Sequence, residues 1–506
     1  MNAEIELKLF FLPKYQQSLI NKLDSLDNSV PQGQRRLTNG YFDTPDLQLR
    51  QWDMGLRVRD DDEHREQTIK TAGQVIGGIH SRPEYNVTIQ LDSPNLSLFP
   101  SSIWPSNADL ASTQVQLGCI FHTDFYRRAW HIHIDDSLVE VALDIGEITA
   151  NGHQEALCEL EFELLSGDTE ALLKLAIQVA SVVPVRLGKA SKAQRGYRLA
   201  GKAPPLHLTA LEFLPLAEHS ETLSPDLTAS CQTLLEIALE RWQLLESMIA
   251  DEHEHEHEHE HEPEACIALW WRMRACIRLL RITLSQFALL DARLLSQFML
   301  IEKQLDFIEP AQALTALLGS QYRLFHRQSQ SRQLKQQLRF DLDNIKLDEQ
   351  LSSLWQQPEY GQLQLAVVEQ LLKVSAGELG SIKPPSLRQH ADSALQASWQ
   401  AIFEVMSCNT AMTSTHYLQA STVLDESILV GQAYGSLYDV KSRDMFRAPW
   451  LDLTLGIKTL ACYSALEHAS CKLGIDLHEW LDDKQQSLLF AMESTRHNAL
   501  QQLVYW

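Results

Sequence analysis

Residues 4–8 read Glu-Ile-Glu-Leu-Lys. An extended chain points residues i, i+2 and i+4 to the same side. Glu4, Glu6 and Lys8 therefore share one face, and Ile5, Leu7 and Leu9 the other. Burying both faces is costly unless the charges find partners. A single strand of this kind is compatible with an ordinary solvated polar face. A second one far downstream makes the pattern more telling: residues 158–164 read Cys-Glu-Leu-Glu-Phe-Glu-Leu, with Glu159, Glu161 and Glu163 on one side. Same-face neighbours lie roughly 6.6 Å apart along a strand, so facing strands of this kind gather carboxylates around a divalent cation. Hard cations favour such oxygen ligands, often shared with a phosphate group.

Basic residues alternate on the strands expected between these two. Arg57 and Arg59 share a face of 54–59, Thr68 and Lys70 a face of 65–71, and Arg82 and Glu84 a face of 82–91. Arg127 falls in 121–134, and Glu140, Ala142 and Asp144 share a face of 138–148. A further strand at 35–42 ends in the turn signal Asp43-Thr44-Pro45-Asp46. Helical periodicity marks 13–27, with Leu19, Ile20, Leu23 and Leu26 as its stripe, and also 108–117 and 169–182. About eight strands joined as antiparallel hairpins lose their edges by closing into a barrel. Its interior would hold Glu4, Glu6, Glu84, Asp144, Glu159 and Glu161 together with Lys8, Arg57, Arg59, Lys70, Arg127 and Lys192. Both signs are required by a polyanion carried with metal ions: basic groups hold phosphates and acidic groups hold the metal.

The 506 residues carry a net charge of −23, which argues against general nucleic-acid or anionic-membrane binding. No apolar run spans a bilayer, and the scattered cysteines form no Cys-x-x-Cys pair, so the expected location is cytoplasmic with reduced thiols. The expected architecture is α+β. An eight-stranded antiparallel barrel (a tunnel) occupies 1–202, a proline-containing linker 203–224, and an all-α helical bundle 225–506. Within the bundle, Glu and His alternate over 252–262. This reads as a solvated loop between helices, with metal buffering by the histidines as the functional alternative. Arg274, Arg278 and Arg281 lie along one side of the following helix.

Several stretches in order resemble one family: Glu-x-Glu-x-Lys, Gly-Leu-Arg-Val-Arg at 55–59, Thr-Ile-Lys at 68–70, Arg-Pro-Glu-Tyr-Asn at 82–86, Asp-Phe-Tyr-Arg at 124–127, the Glu-x-Glu strand, and Ser-Lys-x-x-Arg-Gly-Tyr at 191–197. The first 200 residues or so resemble the CYTH domain of the triphosphate tunnel metalloenzymes, and within it the bacterial inorganic triphosphatases that carry a C-terminal CHAD domain. The resemblance implies hydrolysis of inorganic triphosphate with Mg²⁺ or Mn²⁺. Its alternatives are adenylate cyclase, thiamine triphosphatase or nucleoside triphosphatase activity, or non-catalytic polyphosphate binding. Carried over by motif, Glu4, Glu6, Asp144, Glu159 and Glu161 would be metal ligands. Lys8, Arg57, Arg59, Lys70, Arg127, Lys192 and Arg195 would hold phosphate, with Lys192, Glu161 and Glu6 catalytic. The barrel half is expected to catalyse alone. A CHAD-like second half implies polyphosphate as a partner, although Trp271 stands where that family's first-helix motif has histidine and little of its second basic motif surrounds Lys458.

Overall fold

The computed structural model describes residues 3–61, 64–203, 227–254, 263–319, 324–325, 328–379, 386–407 and 410–506. The linker expected at 203–224 and the Glu/His repeat at 252–262 lie almost wholly outside these. The chain divides into two compact units, one of Met1–Leu206 with Trp355–Leu372, the other of His207–Leu354 with Lys373–Trp506.

The first unit is built on ten strands: β1 (Ala3–Phe10), β2 (Ser29–Asp43), β3 (Gly55–Asp60), β4 (Arg65–Lys70), β5 (Gln74–Ile76), β6 (Ile79–Thr88), β7 (Gly118–Ile134), β8 (Ser137–Ala150), β9 (His153–Ser166) and β10 (Arg186–Leu187). Eight of them run β1-β9-β8-β7-β2-β3-β4-β6 and close through β1–β6, all antiparallel. The short β5 adds to β6, and β10 to β1. The expected eight-stranded barrel is thus present. Strand β2 begins at Ser29, ahead of the alternation at 35–42, and a bulge between Pro31 and Gly33 absorbs the irregular start.

Alternation turns the apolar side chains outward. Leu7, Leu9, Val139, Val141, Leu160 and Phe162 are completely buried. The α-helices described in the first 203 residues are α1 (Gln16–Asp24), α2 (Gln48–Gln51), α3 (Leu110–Gln116), α4 (Glu170–Ala180) and α5 (Lys192–Leu199). Helix α4 packs on β1, β8 and β9 and touches α1. The core of this unit therefore lies outside the barrel wall, which leaves the interior free for polar groups. A second apolar layer joins Leu49, Met54, Leu56 and Ile69 to Leu96, Phe99 and Trp104 of the long connection. The Ser-x-x-Gln at the start of α5 is a capping box: Ser191 Oγ accepts from the Gln194 N–H, and the Gln194 side chain accepts from the Ser191 N–H.

The remaining helices are α6 (Leu227–Glu254), α7 (Pro263–Gln286), α8 (Ala292–Gln304), α9 (Ile308–Leu318), α10 (Ser331–Asp343), α11 (Leu347–Trp355), α12 (Pro358–Ser375), α13 (Leu387–Met406), α14 (Ser414–Tyr434), α15 (Val440–Leu473) and α16 (His478–Gln501). Residues of α9, α10 and α13 to α16 share one apolar core that includes Tyr417, Trp450 and Leu453. No described helix is long and apolar enough to cross a membrane.

Candidate active site

The inward faces line a cavity of about 750 Å³. At one end Asp144 of β8 and Glu159 of β9 stand opposite each other in register, and both are fully buried. One oxygen from each of Asp144, Glu159 and Glu161 lies within 4.8 Å of the others. Three cations hold this triad together. Lys192, on the first turn of α5, places Nζ 2.8 Å from Asp144 and 3.0 Å from Glu161, and also bonds Glu159. Arg127 donates in a fork to Asp144 at 2.8 and 2.6 Å and reaches Glu161. Lys8 bonds Glu161 and lies 3.0 Å from Glu6. Burial pushes the Glu161 and Asp144 carboxyls up, but these cations outweigh it and hold both below the ordinary range. For Glu159 burial wins, and its carboxyl is raised. Burial lowers the Lys192 ammonium less than the three acids raise it, so it stays charged.

A transverse row of side chains crosses the barrel one step further along. Glu140 of β8 faces Glu163 of β9, Glu163 faces Glu6 of β1, and Glu6 faces His80 of β6. All four line the cavity. Burial, then the neighbouring Glu140, raises the Glu163 carboxyl. Glu4 bonds Lys70, and burial pushes its carboxyl up to about 7. Glu84 lies 3.1 Å from Lys70 and 3.3 Å from Arg57. Against its burial, those two cations bring it down to about 2.

Arg59 differs from the other basic residues among the candidates. Its Nε donates to Asn39 Oδ1 at 3.0 Å, and no carboxylate pairs with it among the described residues. Burial, then Arg57 and Arg127 nearby, lowers it to about 9. Arg195 lies at the edge of this constellation: its Nε bonds Glu155 at 2.7 Å, and its Nη1 is 3.5 Å from Glu159.

All the candidates except Asp144, Glu159 and Arg195 line the cavity itself. Asp144, Glu159 and Glu161 form one cluster, whereas Glu4 and Glu6 lie apart from it, held by Lys70 and Lys8. The arrangement suits a divalent cation: three hard oxygen ligands converge, and Glu159 Oε2 is buried with no hydrogen bond among the described residues. Arg82 and Glu84 share a face of the chain, and Glu84 pairs across the strands with Arg57 and Lys70. His80 escaped notice altogether. A lone histidine beside Gly77-Gly78 carries no spacing signal, and only the β1–β6 closure brings it opposite Glu6.

His80 is 4% exposed, and burial followed by Lys8 lowers its imidazole from 6.5 to about 4. It is therefore neutral in the fold but takes a proton on unfolding between those two values. Its contribution to stability is complete above pH 6.5 and lost as pH falls toward 4, amounting to about 3 kcal/mol. We expect His80→Phe to lose less stability than the wild type between pH 7 and pH 4.5 in denaturant titrations. Parallel losses in the two proteins would contradict this.

In the helical unit, Arg274 lies 2.5 Å from Glu309 and Arg278 3.2 Å from Glu302. Arg281 lies 2.6 Å from Glu302 and 2.5 Å from Glu426. All three arginines of the basic stripe are thus committed to acids.

The first unit is thus a closed antiparallel barrel with a charged interior and a buried acidic triad. Residues 2–197 match the CYTH domain model. An inorganic triphosphatase of Haemophilus influenzae is 36% identical over 208 residues, which is 40% of this chain and 56% of that protein. The match thus spans little more than half the length of that relative. Among solved structures, a putative adenylyl cyclase from Hippeastrum, described as having dominant triphosphatase activity, is 19% identical. It covers 40% of this chain and 98% of its own at a TM-score of 0.29. The CHAD domain of Ricinus communis is 15% identical and covers 56% of this chain and 98% of its own at a TM-score of 0.40.

Proposed function

We propose that the tunnel hydrolyses inorganic triphosphate to pyrophosphate and phosphate with the help of Mg²⁺ or Mn²⁺. The observation that carries this reading is Arg59: a half-buried cation with no carboxylate partner among the described residues, set beside Arg57 and Arg127 in the cavity that also holds the acidic residues. The name and 36% identity of the Haemophilus influenzae relative support the same substrate.

Asp144, Glu159 and Glu161 would hold a cation at one end, and Glu4 and Glu6 would share one with the substrate. A divalent cation bound there lowers the pKa of a water and neutralises charge on phosphoryl oxygens. Arg57, Arg59, Lys70 and Lys8 would grip the phosphates, and Lys192 would meet the terminal group beside the triad. Arg127 would act by holding the triad in place as much as by touching phosphate. Phosphoryl transfer asks little of the protein beyond such positioning and electrostatics.

Arg57→Ala and Lys70→Ala should each raise the KM for tripolyphosphate roughly ten-fold or more, since a hydrogen bond to a charged group contributes about 1.5–3 kcal/mol. Steady-state kinetics checks this, and an unchanged KM in both variants would remove these residues from the phosphate site. For the helical half we propose a CHAD-like fold with weak polyphosphate binding at most, because the arginine stripe is already paired. Submicromolar polyphosphate binding at physiological salt that is lost in Arg274→Ala would contradict that.

A further inference from the structure

Strand β10 is only two residues long. One of its edges pairs with β1, Leu187 opposite Leu9 and Arg186 opposite Phe10. The chain then runs through Gly188, whose N–H donates to the Lys8 carbonyl at 2.9 Å, to Ser191 and Lys192. A two-residue strand cannot hold its own position, and its other edge needs a cover. The cover comes from Trp355–Leu372, which belongs to the same compact unit as the barrel.

Gln364 is fully buried, and its Oε1 accepts from the Leu187 N–H at 2.8 Å. The Arg186 guanidinium lies 3.7 Å from the Trp355 ring centre, with the Phe10 ring also within reach at 5.1 Å. Gln362 Nε2 donates to the Ala180 carbonyl at the end of α4, 3.0 Å away. At Gly361 the helix meets the chain leading into β10 so closely that a Cβ would lie 1.8 Å from the Val185 carbonyl oxygen. Val368 and Leu371, both fully buried, reach the Gly77 turn between β5 and β6. One helical segment thus fixes the end of α4, β10 and the β5–β6 turn.

We infer that Trp355–Leu372 is a positioning element of the tunnel: it sets β10, and through Gly188–Ser191 sets where Lys192 meets Asp144, Glu159 and Glu161. This departs from the expectation that residues 1–200 suffice for activity. It rests on the reading that the tunnel hydrolyses triphosphate.

The test uses the full-length chain. Gly361→Ala forces the helix away from Val185, although Gly to Ala within a helix ordinarily favours the helix. Gln364→Met keeps the length of the side chain and removes the acceptor for Leu187. Each is made alone and in a Lys192→Met background, and kcat and KM for tripolyphosphate with Mg²⁺ are measured separately. Each is expected to lower kcat roughly ten-fold or more, as small misplacements at a reacting centre do, with KM little changed. In the Lys192→Met background the same substitutions should have no further effect, because the group they position is gone. Wild-type kcat in both variants would overturn the inference, as would an equal further loss in the Lys192→Met background. If Gly361→Ala fails to fold, Gln364→Met decides alone. Failure of the wild type to hydrolyse tripolyphosphate would overturn the functional reading and this inference with it.

Discussion

Glu161→Gln is expected to leave the protein folded and to lower tripolyphosphate turnover by roughly 100-fold or more. Loss of a mere outer-shell partner of a metal site already costs about 10–100-fold, and Glu161 stands at the centre of the site. Lys8, Arg127 and Lys192 all converge on its carboxylate. They hold it well below the ordinary carboxylate range despite its burial. Glutamine has the same size and keeps one oxygen to accept from those donors, so the barrel should close as before. What disappears is the negative charge that offsets three cations and, on the proposed reading, would help hold a divalent ion. The check is kcat across a Mg²⁺ titration, with circular dichroism on the same samples. Near-normal turnover at every Mg²⁺ concentration would remove the triad from the chemistry.

Arg127→Met is expected to act first on stability. Asp144 is fully buried, and its two oxygens take the Arg127 fork at 2.8 and 2.6 Å. Removing one partner of a buried pair leaves an uncompensated charge and costs about 3–5 kcal/mol. Lys192, at 2.8 Å from Asp144, offsets part of that, so the lower end of the range is expected. Denaturant titration of the wild type and the variant at pH 7 measures it. A loss below about 1 kcal/mol, the size of an exposed pair, would mean that Arg127 is free for phosphate and that the triad does not depend on it.

The barrel was legible because period-two alternation with charges on one face admits few solutions. Ile5, Leu7 and Leu9 had to face a core and Glu4, Glu6 and Lys8 a polar interior, and the structure buries Leu7 and Leu9 completely and lines the cavity with the three charges. The Glu-x-Glu strand pointed to Glu159 and Glu161 for the same reason. Pairing partners were not legible. Alternation says which side chains share a face, not which strand lies opposite, so the row Glu140–Glu163–Glu6–His80 emerges only from the register. Strand β10 is too short to carry a pattern. The helix that covers it shows an apolar stripe at 363–374, yet helical periodicity cannot tell that the stripe meets a strand formed about 180 residues earlier. Ser191 and Gln194 carried a capping-box signal that places Lys192 on the first turn of a helix.

The most direct test of the account is phosphate release by the full-length protein from tripolyphosphate, pyrophosphate, ATP and thiamine triphosphate, each with Mg²⁺ and with EDTA. The account predicts rapid release from tripolyphosphate, slower release from the others, and none once EDTA removes the metal. Undiminished release in EDTA, or turnover of ATP or thiamine triphosphate with tripolyphosphate left intact, would contradict it.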